Sequence, residues 1–119
     1  MEQRTPSALV PLIKGVVHHL VAGRYADLVA DGPAADWPRD ILEEKVAQIE
    51  REEGAPLVDL PDEAFEDTSR GAVPWGSGTG WLVDLRLWTA RGPSAYTITF
   101  DIDTSGARPT VHLEEIEIK

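Results

Sequence analysis

A chain of 119 residues with 21 acidic and 11 basic side chains, three histidines and no cysteine has the size of one domain around a single modest core. Its formal charge of −10 disfavours broad phosphate binding, which needs clustered Lys and Arg. The lack of cysteine excludes disulfides, thiolate zinc sites and thiol nucleophiles.

No apolar run approaches the roughly 20 residues needed to span a bilayer. The start, Met1-Glu-Gln-Arg-Thr-Pro, lacks the basic-then-apolar order of a secretory leader. The expectation is a cytoplasmic protein with no membrane, nucleic-acid, metal or cofactor partner. The charge is concentrated: residues 40–67 hold eleven acids and two bases, a net −9. A solvated helix face and a soluble loop account for such a run, and so does a basic protein partner, whose encounter a dense acidic face would speed.

In chain order, Leu9, Leu12, Ile13, Val16, Val17, Leu20 and Val21 follow helical spacing and predict a helix over 7–22. Ser7 is its expected N-cap. Pro11 removes a backbone donor, which moves the start of the regular helix toward it, and Gly23 ends it. A short helix over 24–30 is stopped by Asp31-Gly-Pro. A third is predicted over 38–53, with Asp36 or Trp37 at the cap, Pro38 in the first helical position, an Ile41-Leu42-Val46-Ile49 stripe, and Gly54 as terminator. Residues 54–79 read as irregular, with a short strand around 57–60; a loop of this length is usually functional or mobile.

Strands are predicted over 80–89, 95–103 and 110–118, where apolar and polar residues alternate. Setting Trp88 opposite Ala95 aligns Leu87–Tyr96, Leu85–Ile98, Val83–Phe100 and Trp81–Ile102. The next hairpin aligns Ile102–Val111 and Phe100–Leu113. The phase then slips, and a β-bulge near Glu114-Glu115 restores Ile98–Ile116 and Tyr96–Ile118. Three N-terminal helices on a curved antiparallel sheet of three to four strands make an α+β fold in one domain, 1–119.

The junction Ala22-Gly23-Arg24-Tyr25-Ala26-Asp27-Leu28 resembles the helix junction of nuclear-transport-factor-2-like and cystatin-like cone folds. The segment Leu87-Trp88-Thr89-Ala90-Arg91-Gly92-Pro93-Ser94 resembles the strand-turn motif of a small bacterial family, in which Leu-Trp-Thr precedes an acidic pair, Gly-x-Ser and an acidic residue. Arg91 and Ala95 depart from that pattern. The resemblance implies a cone-like fold that hosts enzymes, ligand binders and interaction modules alike.

Candidate chemistry is sparse. Asp101-x-Asp103-x-Ser105-Gly106 opens like a calcium loop, but His112 stands where the closing carboxylate belongs; a plain hairpin turn is the better reading. The registers place Leu82, Asp101 and His112 in one cross-strand row, and Asp84, Thr99 and Glu114 in the next. Asp beside His is the pairing a general base uses, yet this row lies opposite the core, where polar residues belong anyway. His18 and His19 point about 100° apart on a helix and make a poor metal pair. Trp75-Gly-Ser-Gly-Thr-Gly lacks the Gly-Lys-Ser/Thr ending of a phosphate loop, and neither Ser94 nor Ser105 sits in a nucleophile elbow.

Trp88 is the outlier, a large aromatic on the outer face. The 55–79 loop, a dimer contact or a partner would each cover it. The residues favoured for partner binding are Glu43, Glu44, Glu50, Glu53, Arg86 and Trp88. His19, Tyr25, Trp37 and Trp75 are the candidates to line a pocket between helices and sheet. The leading expectation is a non-enzymatic acidic interaction module, in its sharper form an immunity- or antitoxin-like inhibitor of a basic effector. The alternatives are a small-molecule binder or enzyme using an internal pocket, and a homodimer pairing through the outer sheet face.

Overall fold

The computed structural model describes residues 5–29, 32–66 and 71–118. A 3₁₀ turn, Ser7–Leu9, leads into helix α1, Val10–Ala22, followed by α2, Tyr25–Val29, and α3, Arg39–Glu53. Strands β1, Leu57–Val58, and β2, Ala72–Pro74, flank a second 3₁₀ turn, Asp62–Glu66. The long strands β3, Gly80–Thr89, β4, Gly92–Asp103, and β5, Thr110–Ile118, complete an α+β domain. Ala30 and Asp31, at the expected end of the second helix, and the acid Asp67 lie outside the described residues.

Sequence signals place the helix ends to within a residue or two. Gly23 and Gly54 take φ of 74° and 69°, a left-handed turn that glycine enters without the steric cost of a Cβ. Two start signals shift. Ser7 lies inside the first 3₁₀ turn, and the cap position of α1 falls to Leu9, which forms no side-chain cap bond. Pro38, not Asp36 or Trp37, caps α3; its extended ψ of 137° puts Arg39 in the first helical position. Trp37 is used elsewhere, since its indole N–H donates to Leu113 O at 3.0 Å.

The sheet is antiparallel throughout, in the order β1-β3-β4-β5, with β2 also paired to β3. It has five strands because the 54–79 stretch contributes two pieces too short to show alternation: Leu57–Val58 pair with Thr89 and Trp88, and Ala72–Pro74 pair with Val83 to Trp81. The pairs Trp81–Ile102, Val83–Phe100 and Leu85–Ile98 form as the alternation requires. So do Ile102–Val111 and Phe100–Leu113 and, past a register shift that leaves Glu114 unpaired, Ile98–Ile116 and Tyr96–Ile118. The bulge puts Glu115, not Glu114, opposite Thr99.

The β3–β4 hairpin closes differently from the expected Trp88–Ala95 register. Thr89 pairs with Gly92 and Trp88 with Pro93, so β4 begins earlier than 95. Gly92, at φ 112°, supplies the backbone conformation that lets Ala90 and Arg91 alone make the turn. The surplus residues are taken up around Ser94, whose Oγ accepts from Tyr96 N at 3.1 Å.

Helices and sheet share one apolar core. Ile13, Val17 and Leu20 of α1, Leu42 and Ile49 of α3, and Leu85, Ile98, Phe100 and Leu113 of the sheet are all 0–1% exposed. Each such side chain contributes roughly 1.5–3 kcal/mol of transfer free energy. Vanishing accessible area also leaves no water-sized void against these groups, so the space between helices and sheet is filled. The outer edge of β5 is capped at one residue: Leu113 N donates to Pro33 O at 2.7 Å and Leu113 O accepts from Trp37. A covered edge is a poor template for adventitious strand pairing.

Candidate functional site

The pairing of β1 with the end of β3 builds an open groove. Val58 lies directly across from Trp88, and Pro93 lies on its other side, so Trp88 stands between two apolar neighbours in one cross-strand row. After β1 the chain turns at Pro61 and brings Asp59 and Glu63 to the rim. The resulting groove, about 390 Å³, is lined by Val58, Asp59, Pro61, Glu63, Trp88, Thr89, Ala90 and Gly92. Trp88 is half-buried and packs against the core on one side. Residues 58–63 therefore cover this tryptophan in part and leave the rest to form the groove.

An ion pair and a histidine–carboxylate contact fasten the groove wall to α1. His18 Nδ1 lies 3.0 Å from Asp59 Oδ1, and Lys14 Nζ pairs with Asp62. The hydrogen bond from Lys14, and then its charge, hold the Asp62 carboxyl below the usual carboxylate range. The same ammonium stands 5.9 Å over the Phe65 ring, within cation–π range.

The four candidate glutamates of α3 have different fates. Glu43 and Glu44 are exposed, with Glu44 bonded to Arg51 at 2.9 Å. Glu53 is half-buried. Glu50 is structural, because its Oε2 accepts the backbone N–H of Leu57 at 2.8 Å and so docks β1 on the helix. Glu52, not singled out by sequence, accepts from the Tyr96 hydroxyl. Nothing in helical spacing marks either contact, since each joins α3 to a strand that follows it.

The expected internal pocket residues do not converge. Trp37 caps β5. Trp75 packs its ring on Gly80, where an added Cβ would collide with the indole and come within 2.6 Å of Ile102 O. His19 is half-buried, and its Nδ1 has no hydrogen-bond partner among the described residues. Tyr25 faces α3; burial first, then the charges of Glu43 and Glu50, raise its pKa above the ordinary value. None of the four lines the Trp88 groove.

On the outer face, Arg86 is half-buried in a cross-strand row with Thr97 and Glu117. Thr97 and Thr99 are 0% and 4% exposed, and Thr99 Oγ1 donates to Asp84 Oδ1 at 2.6 Å. Asp101 and His112 are cross-strand neighbours as the register requires. The imidazole Nε2, however, lies 3.2 Å from Asp36 and 3.8 Å from Glu114, on the side of the loop that caps β5. Asp103 is occupied by its turn: its Oδ1 accepts from Ser105 N at 2.8 Å and Ser105 Oγ at 2.6 Å, and these bonds lower its pKa. Among the described residues no helix is long and apolar enough to cross a membrane.

Fold and groove together define a small acidic α+β domain with one tryptophan set in an open, carboxylate-rimmed depression. The chain belongs to a family described as a domain of unknown function, DUF7668, whose match runs over residues 17–118, from the middle of α1 to the end of β5. Comparison with curated proteins and with solved structures finds no match.

Proposed function

We propose that this domain is a non-enzymatic interaction module that binds a basic protein partner through its acidic flank; in its sharper form, the partner is a basic effector that the module holds inactive, as an immunity protein or antitoxin does. The observation that carries the reading is the exposure of carboxylates along one span of the chain. Asp40, Glu43 and Glu44 on α3, and Asp59, Glu63 and Glu66 beyond it, are all exposed. They belong to the short span that holds nearly all the net charge. Clustered charge of one sign steers association with an oppositely charged partner and makes the rate steeply salt-dependent. The filled interior between helices and sheet weighs against an internal ligand pocket. The helix-then-sheet order agrees with a cone-like fold, which by itself names no activity.

The test combines affinity capture from the native host with association kinetics. The expected outcome is a basic protein whose association rate drops on reversing Glu43 and Glu44 to Lys, with the drop disappearing at high salt. Capture of an acidic partner, or a rate unchanged by reversal at low salt, would overturn the reading.

A further inference from the structure

We infer that the Trp88 groove is the seat of an arginine or lysine side chain presented by the partner polypeptide. This rests on the basic-partner reading above and names where its anchor residue binds. The charge complementarity is local as well as global: among the described residues the lining holds no cation, while Asp59 and Glu63 are acidic. The indole is the best cation–π surface among side chains. Val58 and Pro61 line the same groove, so an incoming side chain meets apolar surface for its methylene stem beside the indole for its charged head.

At the mouth, Asp59 and Glu63 supply the charge-assisted acceptors that a guanidinium or ammonium needs once its water is stripped. Asp59 is not a loose surface acid, because His18 holds one of its oxygens at 3.0 Å and leaves the other free of that contact. Arg91, in the turn between the lining residues Ala90 and Gly92, has its guanidinium beside Gly54, and Arg86 has interactions of its own, in a row that ends at Glu117.

Size narrows the occupant further. A groove of about 390 Å³ is at the small end of the roughly 300–1,000 Å³ typical of ligand sites. It suits one or two long side chains and is too small for a whole amphipathic helix. The occupant is therefore an anchor residue on an extended segment or loop. A buried aromatic–cation contact of that kind dominates many interfaces, while the surrounding charged contacts mainly guide encounter.

The test is a titration of the ¹⁵N-labelled domain with a capped alanine-rich pentapeptide bearing a central arginine, and with its citrulline counterpart, which keeps the shape and loses the charge. The Trp88 indole N–H, assigned with Trp88→Leu, should shift saturably with the arginine peptide alone. Affinity should fall about tenfold in Trp88→Leu and about three- to tenfold in Asp59→Asn/Glu63→Gln, in keeping with cation–π and charged hydrogen-bond magnitudes. Glu63→Gln alone changes an exposed residue outside the His18–Asp59 contact and should cost about threefold in affinity, so it remains informative if Trp88→Leu or Asp59→Asn disturbs the groove.

Equal binding of the citrulline peptide, or shifts confined to Glu43 and Glu44, would overturn the anchor assignment. So would concentration-dependent dimerisation that shifts the Trp88 indole without peptide, because a second copy would then be the occupant. A captured basic partner that is sensitive to α3 reversal but indifferent to Trp88→Leu and the double variant would refute the groove and leave the acidic-module reading standing. A partner indifferent to all of these would refute both.

Discussion

The three C-terminal strands and the acidic middle of the chain share one apolar core but differ in the polar contacts that orient them. In β3 to β5 each side chain's surroundings follow from register, and apolar area does the work: Val83, Ile98, Phe100, Ile102 and Leu113 are all fully buried. From α3 to the second 3₁₀ turn, Leu42, Val46, Ile49, Leu57, Leu60, Ala64 and Phe65 join the same core, and single polar contacts then set orientation, namely Glu50 with Leu57 N, Glu52 with Tyr96, His18 with Asp59, and Lys14 with Asp62. Area is distributed and tolerant, whereas one hydrogen bond is worth only about 0.5–1.5 kcal/mol net. The sheet is therefore the frame, and the acidic middle is an attachment that a few residues orient.

The largest test of this contrast is Phe100→Ala. Phe100 is fully buried, centred between Val83 and Leu113, and truncating such a residue costs about 3–5 kcal/mol. Urea unfolding should show the loss as a lower midpoint at an unchanged slope. A cost under about 1 kcal/mol would mean that the sheet's inner face is not the frame.

Gly80→Ala tests the hairpin that joins β2 to β3. The new Cβ meets the Trp75 indole and stands 2.6 Å from Ile102 O, and the backbone carbonyl cannot swing away as a side chain could. Overpacking of this kind typically costs about 1–3 kcal/mol. A neutral result in thermal melts would show that Trp75 does not rest on the strand.

Glu50→Ala and Glu43→Ala separate a structural carboxylate from a surface one on the same helix. Loss of Glu50 leaves Leu57 N–H in a part-buried position without its acceptor, for about 1–2 kcal/mol. Glu43, exposed, should change stability by less than about 0.5 kcal/mol and alter partner association instead. If both variants are neutral in unfolding, β1 is docked by something other than Glu50, and the contrast between frame and attachment weakens.

This division also explains what was legible in the sequence. The sheet was legible because strict alternation has a single solution: once Val83 faces Phe100, the slip at Ile116 forces a bulge, and Glu114 supplies it. The hairpin end was not, because alternation cannot count turn residues, and the Gly92 turn draws Pro93 rather than Ala95 opposite Trp88. Strands of two and three residues carry no period, so β1 and β2 emerge only through their pairing with β3. The groove was half legible. Trp88 stood out as an aromatic on a polar face, but the residues that line it with Trp88, Asp59 and Glu63, lie some thirty residues earlier and become neighbours only through β1. The residues expected to line a pocket between helices and sheet are separated for a related reason: His19, Tyr25, Trp37 and Trp75 have the right chemistry on elements that face different parts of the molecule.

The smallest expected effect concerns Tyr25, where the acidic helix touches the frame. Its raised pKa comes first from burial and then from Glu43 and Glu50, both of which disfavour the phenolate. A folded pKa above the unfolded value near 10 means that the folded state holds the proton more tightly. The associated stability is fully present below about pH 10 and is lost as pH rises through the higher folded value. Near-ultraviolet phenolate titration, taken as the difference between the parent protein and Tyr25→Phe, isolates this group from Tyr96. Glu43→Gln should move the transition down by a fraction of the total displacement, because burial remains. Tyr25→Phe should soften the alkaline loss of stability. If Glu43→Gln leaves the transition where it was, the carboxylate is directed away from α2. In that case the acidic face of α3 is turned wholly toward solvent and partner.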